Sequence, residues 1–459
     1  MGDDVESRFE RYTDLMVKAL GHADRATPAR WYLRGLMLPG QRKSVEPMAA
    51  RICPQEVRSA HQSMHHLVAD SEWSDTALLA QVAQQVVPVL TRGAAPCYWI
   101  IDDTGVRKYG KHSVGVARQY CGQLGKVDNC QVAVSLSLAT LEGSVPLSYR
   151  LYLPQEWTDD KKRCKQAGVP KGIAFATKGE MAWAQIEAAL QAQVPQGLVL
   201  ADAGYGDEAV LRDRLSAHGL TYAVGIRPQT AVWWGAHQPA PAPDKSRRGR
   251  PRTRVLRDET HQPIRVDELA AILPRTRYRT LTWREGTNAA LTSRFARVCV
   301  RAAHGDCPRA EEWLLIEWPK GEDEPTRYFL STLPAGAPFK ELVHSVKMRW
   351  RIESDYRELK QEVGLGHYEG RNWRGFHHHA SLCIAAYGFL MLERLKGFKK
   401  NAARLKEPAV PKGFQPRGSG ADAAAHPVVN RHRALSPGPG HRAQSSAMPV
   451  LWEELCAGG

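Results

Sequence analysis

Three acidic residues of this 459-residue chain stand where a folded protein could gather them for metal-dependent chemistry. Asp102 and Asp202 each follow a short apolar run, and Glu353 lies inside the stretch VKMRWRIESDYRELKQEV, residues 346–363. Apolar runs of this length are typical of buried strands, and α/β sheets place ligands and active-site residues at the ends of such strands. Carboxylates at two strand ends and on one helix could hold two divalent cations, and Mg²⁺ prefers oxygen ligands of this kind. Two ions would stabilise the attacking and leaving oxygens of a phosphoryl transfer, with water or a sugar 3′-hydroxyl as the nucleophile.

The two aspartates have alternative interpretations. Asp103 competes with Asp102 for the first position, and we favour Asp102 because it leaves an Asp-x-Thr spacing to Thr104. A strand-end aspartate such as Asp202 is equally often a turn former or a helix cap. Asp207 is interpreted as the N-cap of the helix that follows it.

The stretch that contains Glu353 has helical spacing. At 100° per residue, Glu353 and Lys360 fall about 40° and about 20° from Arg349, so one carboxylate and two cations share a stripe. The adjacent face is apolar and carries Met348, Ile352, Leu359 and Val363. Taken alone, such a stripe is more typical of a solvated face with ion pairs.

The elements that must position these residues change along the chain. Residues 5–90 have helical periodicity, interrupted at Pro39-Gly40, and predict an N-terminal all-helical domain for DNA binding or assembly. Strands are predicted at residues 97–101, 130–141, 146–153, 197–201 and 220–226, with helices at 178–193 and from about 207 to 218. This order indicates an α/β fold with a mixed sheet and flanking helices.

A basic, strand-rich segment interrupts this α/β pattern. Strands are predicted at residues 278–283, 293–301, 313–318 and 328–331, before helices that begin near residue 339 and residue 378. We therefore divide the chain into an N-terminal helical domain (1–95), a first catalytic part (96–226), a β-rich insertion (227–335), a last catalytic part with the Glu353 helix (336–398) and a tail that we expect to be disordered (399–459).

Composition limits the classes of function. The net charge of +15 and the pI near 9.4 favour a polyanionic partner. Residues 245–301 hold fifteen Lys or Arg against five Asp or Glu, which is two thirds of that net charge. The start of the chain is no signal peptide, and no apolar run is long enough for a membrane span. Nine cysteines without a CxxC pair indicate reduced thiols in a cytosol rather than a zinc ribbon or a disulfide framework.

Other motifs are weaker. Arg248 and Arg250, in the sequence RGRP, resemble the core of an AT-hook that inserts arginine into the minor groove, but a flexible basic loop is the alternative. The histidines 377–379 point in different directions on a helix and cannot bind one ion; we expect a helix start near DNA or subunit contacts. Five tryptophans are expected mainly in the core, with base stacking as the alternative: Trp233, Trp234, Trp283, Trp313 and Trp318.

Asp102 in WIIDDTG, Asp202 in LADAGYGD and Glu353 in RWRIESDYRELK together resemble the DDE transposases of bacterial insertion sequences. Arg349, Glu353 and Lys360 match three positions of that family's Tyr-x2-Arg-x3-Glu-x6-Lys motif, and Val346 stands at its Tyr position. The resemblance extends from about residue 5 to 398, because RKSVEPMA and GKHSVGVARQYCGQLGK also resemble one subgroup. It implies an RNase H-like catalytic domain with a β-rich insertion between the second Asp and the Glu.

The same resemblance implies a function. Asp102, Asp202 and Glu353 would bind two Mg²⁺ ions, with Mn²⁺ as a substitute, and Arg349 and Lys360 would contact phosphates. The enzyme would cut double-stranded DNA at terminal inverted repeats and join the 3′-hydroxyl to target DNA. It would act as a homodimer on paired ends, in the cytoplasm and away from membranes.

Two other functions are considered. One is a different RNase H-like nuclease that acts in DNA repair or on junctions. The other is a catalytically inactive DNA-binding protein derived from a transposase. The presence of all three acidic residues and of the cations Arg349 and Lys360 argues against this alternative.

Overall fold

The computed structural model describes residues 4–93, 96–237, 261–285, 290–306 and 309–406. Arg248 and Arg250 lie outside these ranges. The predicted helical N-terminal region is confirmed and contains five helices: α1 Val5–Lys18, α2 Ala26–Met37, α3 Val45–Ile52, α4 Val57–Ala69 and α5 Asp75–Leu90. The break at Pro39-Gly40 is confirmed, because α2 ends at Met37. The N-cap of α5 is Ser74, whose hydroxyl accepts from Ala77 N at 3.1 Å.

The α/β part begins with four strands. They are β1 Tyr98–Arg107, β2 Ala117–Cys121, β3 Lys126–Ala139 and β4 Ser144–Leu151. There follow the helices α6 Gln155–Asp159, α7 Lys161–Gln166 and α8 Lys178–Gln191, then β5 Leu198–Ala201, α9 Ala203–Gly206, α10 Ala209–Ala217 and β6 Tyr222–Ile226. The prediction that the first strand ends before Asp102 is wrong. Pairing with β3 continues as far as Arg107, so the backbone of Asp102 lies within the sheet.

From residue 231 onward, the described residues add six strands and four α-helices. They are β7 Ala231–Trp233, β8 Ile264–Arg265, α11 Val266–Ile272, β9 Arg279–Glu285, β10 Ala290–Ala302, β11 Glu311–Pro319, β12 Arg327–Ser331, α12 Phe339–Lys347, α13 Trp350–Gln361 and α14 Trp373–Lys406. Among the described helices, none is both long and apolar enough to cross a lipid bilayer.

The twelve strands of the described ranges form one mixed sheet. Its order is β2-β3-β1-β5-β6-β12-β11-β10-β7-β8, with β4 on β3 and β9 on β10. Within it β1, β5 and β6 are parallel neighbours and β3 runs antiparallel to β1, which is the RNase H-like arrangement expected from the sequence. The strands predicted as an insertion extend the same sheet, because β12 pairs with β6.

Helix α14 joins the N-terminal helices to the sheet. Its Glu393 accepts from Arg8 of α1 at 2.9 Å, and its Ala385 carbonyl accepts from the Tyr12 hydroxyl at 2.8 Å. Buried side chains of α1, α5, α14 and the sheet belong to one continuous hydrophobic core. The N-terminal helices are therefore packed directly against the part of the fold that carries the candidate site.

The three adjacent histidines lie in the first turns of a helix, α14, as predicted, but they are core residues, so the expected proximity to DNA or subunit contacts is wrong. His377, His378 and His379 are all buried. His378 stacks on Trp73 with ring centres 3.6 Å apart, and His379 lies 2.8 Å from the hydroxyl of Tyr32. Each ring has a hydrogen-bond partner on another element, which explains how a polar triplet is accommodated in the core.

The single helix predicted for residues 346–363 is two helices. Helix α12 ends at Lys347 and α13 begins at Trp350, because Arg351 N bonds to the Met348 carbonyl and Ile352 N to the Arg349 carbonyl in three-residue steps. These tighter turns break the regular α-helical ladder. The predicted apolar face is confirmed, since Met348, Ile352, Leu359 and Val363 are all buried.

Candidate active site

Asp102 and Asp202 are brought together by the register of two parallel strands. Ile100 of β1 is level with Leu200 of β5, and each aspartate lies two residues further along the chain, Asp102 within β1 and Asp202 just after β5. Neighbouring strands are about 4.8 Å apart, so the two carboxylates lie side by side where β5 ends. Asp202 also caps α9, because its Oδ1 accepts from Gly204 N at 2.9 Å. The strand-end and helix-cap interpretations of Asp202 therefore describe the same residue.

Arg349 connects Asp102 to Glu353. Its guanidinium donates to Asp102 Oδ2 at 3.0 Å and lies 3.5 Å from Glu353 Oε1. Burial alone would lower the pKa of Arg349, but the carboxylates of Asp102, Asp202 and Glu353 outweigh this effect and raise it. The break between α12 and α13 is the feature that presents Arg349 to all three acids.

The three acidic residues line one open cavity of about 870 Å³. Burial raises the pKa of the Asp102 carboxyl to about 7; Arg349 opposes the shift, and the negative charge of Asp202 adds to it. Glu353 differs from Asp102 in exposure, with 64% of its side chain accessible against 14% for Asp102. The helix residue therefore faces the open side of the cavity, and the strand residue forms its floor.

Asp103 has a partner of its own. Its Oδ2 lies 2.5 Å from the ammonium of Lys178, the first residue of α8. That helix begins with a capping box between Thr177 and Glu180, which holds Lys178 at the cavity wall. The two neighbouring aspartates on β1 are thus distinguished by their cations: Arg349 for Asp102 and Lys178 for Asp103.

Lys360 lies on the same cavity but serves the backbone. Its ammonium donates to the carbonyl of Gly105 at 2.8 Å, which ties α13 to β1, and burial lowers its pKa. Val346, at the position of the family's Tyr, is buried in the core on α12 and does not line the cavity.

Several cavity residues were not predicted from the sequence. Lys178, Glu208, Tyr120 and Phe175 all line it. Glu208 fits because its neighbour is a glycine: a Cβ at Gly179 would lie 1.7 Å from its carboxylate. The Thr-x-x-Glu pattern at residues 177–180 could have placed Lys178 at a helix start. It could not have predicted the contact of Lys178 with Asp103, because the two residues are 75 positions apart in the sequence.

Two further predictions have outcomes in the structure. The N-cap of α10 is Glu208 and not Asp207 as predicted. The Oδ1 of Asp207 instead accepts from Arg227 N and from the Thr230 hydroxyl, each at 3.0 Å. The five tryptophans pack in or against the hydrophobic core, as expected: Trp233, Trp234, Trp283, Trp313 and Trp318.

The donor set suits a hard divalent cation. Asp102, Asp202 and Glu353 offer only carboxylate oxygens, the ligands that Mg²⁺ prefers. In the described ranges, however, no three His, Cys, Asp or Glu side chains are close enough to hold one ion as they stand. Arg349 is the positive charge among the three acids in this structure. The residues fit a metal chemically once the carboxylates close around it.

The sheet order and the three carboxylates define an RNase H-like α/β protein with an acidic, cation-lined cavity. The sequence model of the family described as DDE superfamily endonuclease matches residues 15–290, which include Asp102 and Asp202 and end before Glu353. The chain belongs to this family, and its resemblance to DDE transposases of insertion sequences is confirmed. One relative, "Probable transposase for insertion sequence element IS701" of Microchaete diplosiphon, is 26% identical over 318 residues, covering 67% of this chain and 69% of the relative.

Proposed function

We propose that this chain is a cut-and-paste transposase. It cleaves double-stranded DNA at the terminal inverted repeats of an insertion sequence and joins the freed 3′-hydroxyl to target DNA. The observation that carries the proposal is the position of Asp102, Asp202 and Glu353 around Arg349 in one cavity. Membership of an endonuclease family and a relative described as a probable transposase support it.

Asp102, Asp202 and Glu353 would hold two Mg²⁺ ions, with Mn²⁺ as a substitute. When bound, such ions neutralise phosphate charge and lower the pKa of an attacking water or hydroxyl. We assign the first ligand to Asp102 and not Asp103, because the strand register places Asp102 beside Asp202, whereas Asp103 is paired with Lys178. Arg349 would leave the carboxylates for a phosphate oxygen, since its fork of N–H donors matches either partner.

Other cations would hold the DNA. The Lys360 ammonium has three donors, of which the contact with Gly105 uses one, so it can also face a phosphate near the cut strand. Arg248 and Arg250 are proposed as further DNA contacts on the basis of their sequence alone. We expect a homodimer on paired DNA ends, acting in the cytoplasm on the bacterial chromosome.

The test is Mg²⁺-dependent cleavage of DNA that carries the ends flanking the gene. Asp202→Asn, Glu353→Gln and Asp102→Asn should each reduce cleavage at least 100-fold, as expected when a group that stabilises transition-state charge is removed, while DNA binding persists. Asp103→Asn is the matched control on the adjacent residue and should retain more activity than Asp102→Asn. Normal cleavage by Asp202→Asn or Glu353→Gln would contradict the site assignment.

The same assay separates the alternatives. A transposase joins a pre-cleaved 3′ end to a plasmid, whereas another RNase H-like nuclease cuts without joining. A catalytically inactive derivative would bind the ends and leave them intact at every Mg²⁺ concentration. Analytical ultracentrifugation with and without DNA ends would test the dimer.

A further inference from the structure

Two aromatic side chains are exposed inside the cavity that holds the three carboxylates. Among the described residues, Tyr109, Tyr120 and Phe175 are the only Phe, Tyr or Trp side chains that are exposed. Tyr120 is 59% exposed and Phe175 is 41% exposed, and both line the cavity of Asp102 and Glu353. Large apolar rings in a polar, charged cavity indicate a ligand with apolar faces.

Tyr120 is held in place by the sheet. It lies on the edge strand β2, opposite Val127 of β3. The next residue, Cys121, is buried so closely against β1 that a Cβ at Gly105 would lie 2.8 Å from its sulfur. The backbone of Tyr120 is therefore held near Gly105 of β1, and its ring lines the same cavity as Asp102 and Asp103.

Phe175 is held by the start of α8. It stands two residues before Thr177, which closes the capping box, and three before Lys178. The Lys178 ammonium is paired with Asp103 at 2.5 Å and lies 5.7 Å from the ring centre of Tyr152. These contacts anchor the Phe175 segment to the same wall of the cavity.

We propose that Tyr120 and Phe175 stack on unpaired nucleobases next to the scissile phosphate. The cavity offers cations for phosphates and two ring faces for bases, which together match a nucleotide. Bases inside a duplex are already stacked, so these rings can take only a base that has left its pair. The inference rests on the proposed function and adds that the DNA is locally opened at the cut.

Binding of a forked DNA tests the inference without cleavage. The probe is a duplex with a short single-stranded arm that carries 2-aminopurine, compared with the fully paired duplex, in Ca²⁺ and with the full-length chain. The wild type should bind the fork more tightly than the duplex and quench 2-aminopurine. Tyr120→Ala and Phe175→Ala should each weaken fork binding ~10-fold and reduce the quenching, with little effect on the duplex.

Two controls accompany these variants. Tyr120→Phe keeps the ring and should bind like the wild type. Tyr109→Ala removes a tyrosine that is 89% exposed outside the cavity, and should change neither signal. All the substituted side chains are exposed, so the fold should persist, which circular dichroism can verify.

The outcomes separate the two proposals. Wild-type binding and quenching by Tyr120→Ala and Phe175→Ala, or an equal loss in Tyr109→Ala, would overturn the stacking inference and leave the transposase proposal standing. Quenching that depends on Tyr120 in a wild type that never cuts DNA in Mg²⁺ would support stacking and contradict the proposed function.

Discussion

Lys347 and Glu317 form an ion pair that connects β11 to the helix preceding the Glu353 helix. The Lys347 ammonium lies 2.6 Å from both carboxylate oxygens, and the two side chains are only 9% and 2% exposed. The ammonium is also 4.7 Å from the ring centre of Trp283. Removing one partner would therefore leave the other charge buried among apolar groups.

The expected magnitude follows from this burial. Lys347→Met and Glu317→Leu should each lower the free energy of unfolding by about 3–5 kcal/mol, the usual cost of an uncompensated buried charge. Lys347→Met should lie at the lower end of this range, because Arg327 remains 3.9 Å from Glu317. The double variant should recover to within about 1–2 kcal/mol of the wild type, since apolar replacements of both partners are often neutral.

Urea unfolding of the wild type, the two single variants and the double variant gives the coupling energy between Lys347 and Glu317 directly. Arg42→Met is the matched control, because Arg42 and Glu369 form an exposed pair, 66% and 57% accessible, that should contribute less than about 1 kcal/mol. If each single variant lowers the free energy of unfolding by less than about 1 kcal/mol, and the two effects add in the double variant, the interpretation of Lys347 and Glu317 as a desolvated ion pair is wrong.

Three further predictions concern the packing around α14. Burial lowers the pKa of His379 from its ordinary value of 6.5 to about 4. Between these two pH values the unfolded chain binds more protons than the folded chain, so stability should fall as the pH drops from 6.5 to 4. The variant His379→Gln should show a weaker dependence of the thermal unfolding temperature on pH. Gly364 has φ of +89°, and a Cβ there would lie 2.8 Å from the Lys43 Cβ. Gly364→Ala should therefore lower the free energy of unfolding, measured in urea, by at least about 1 kcal/mol. An unchanged free energy would contradict this geometry. Tyr387→Phe removes the hydroxyl that donates to the buried Asp355 at 2.9 Å and should cost about 1–3 kcal/mol by the same measurement, whereas no loss would indicate that another donor replaces it.

Local patterns in the sequence determined most of the elements. The apolar runs before Asp102 and Asp202 predicted two strands that exist as β1 and β5, although β1 extends to Arg107. The apolar face of residues 348–363 predicted which side of the Glu353 helix is buried. These features depend on side-chain periodicity over a few residues, which the sequence displays directly.

The arrangement of charges was decided only by the tertiary structure. Arg349 meets Asp102 across 247 positions of sequence, and Lys178 meets Asp103 across 75. His377 is buried because α14 packs between the sheet and the N-terminal helices. Which cation faces which aspartate depends on strand register and on the break before α13. Because these contacts join distant segments, no local pattern encodes them.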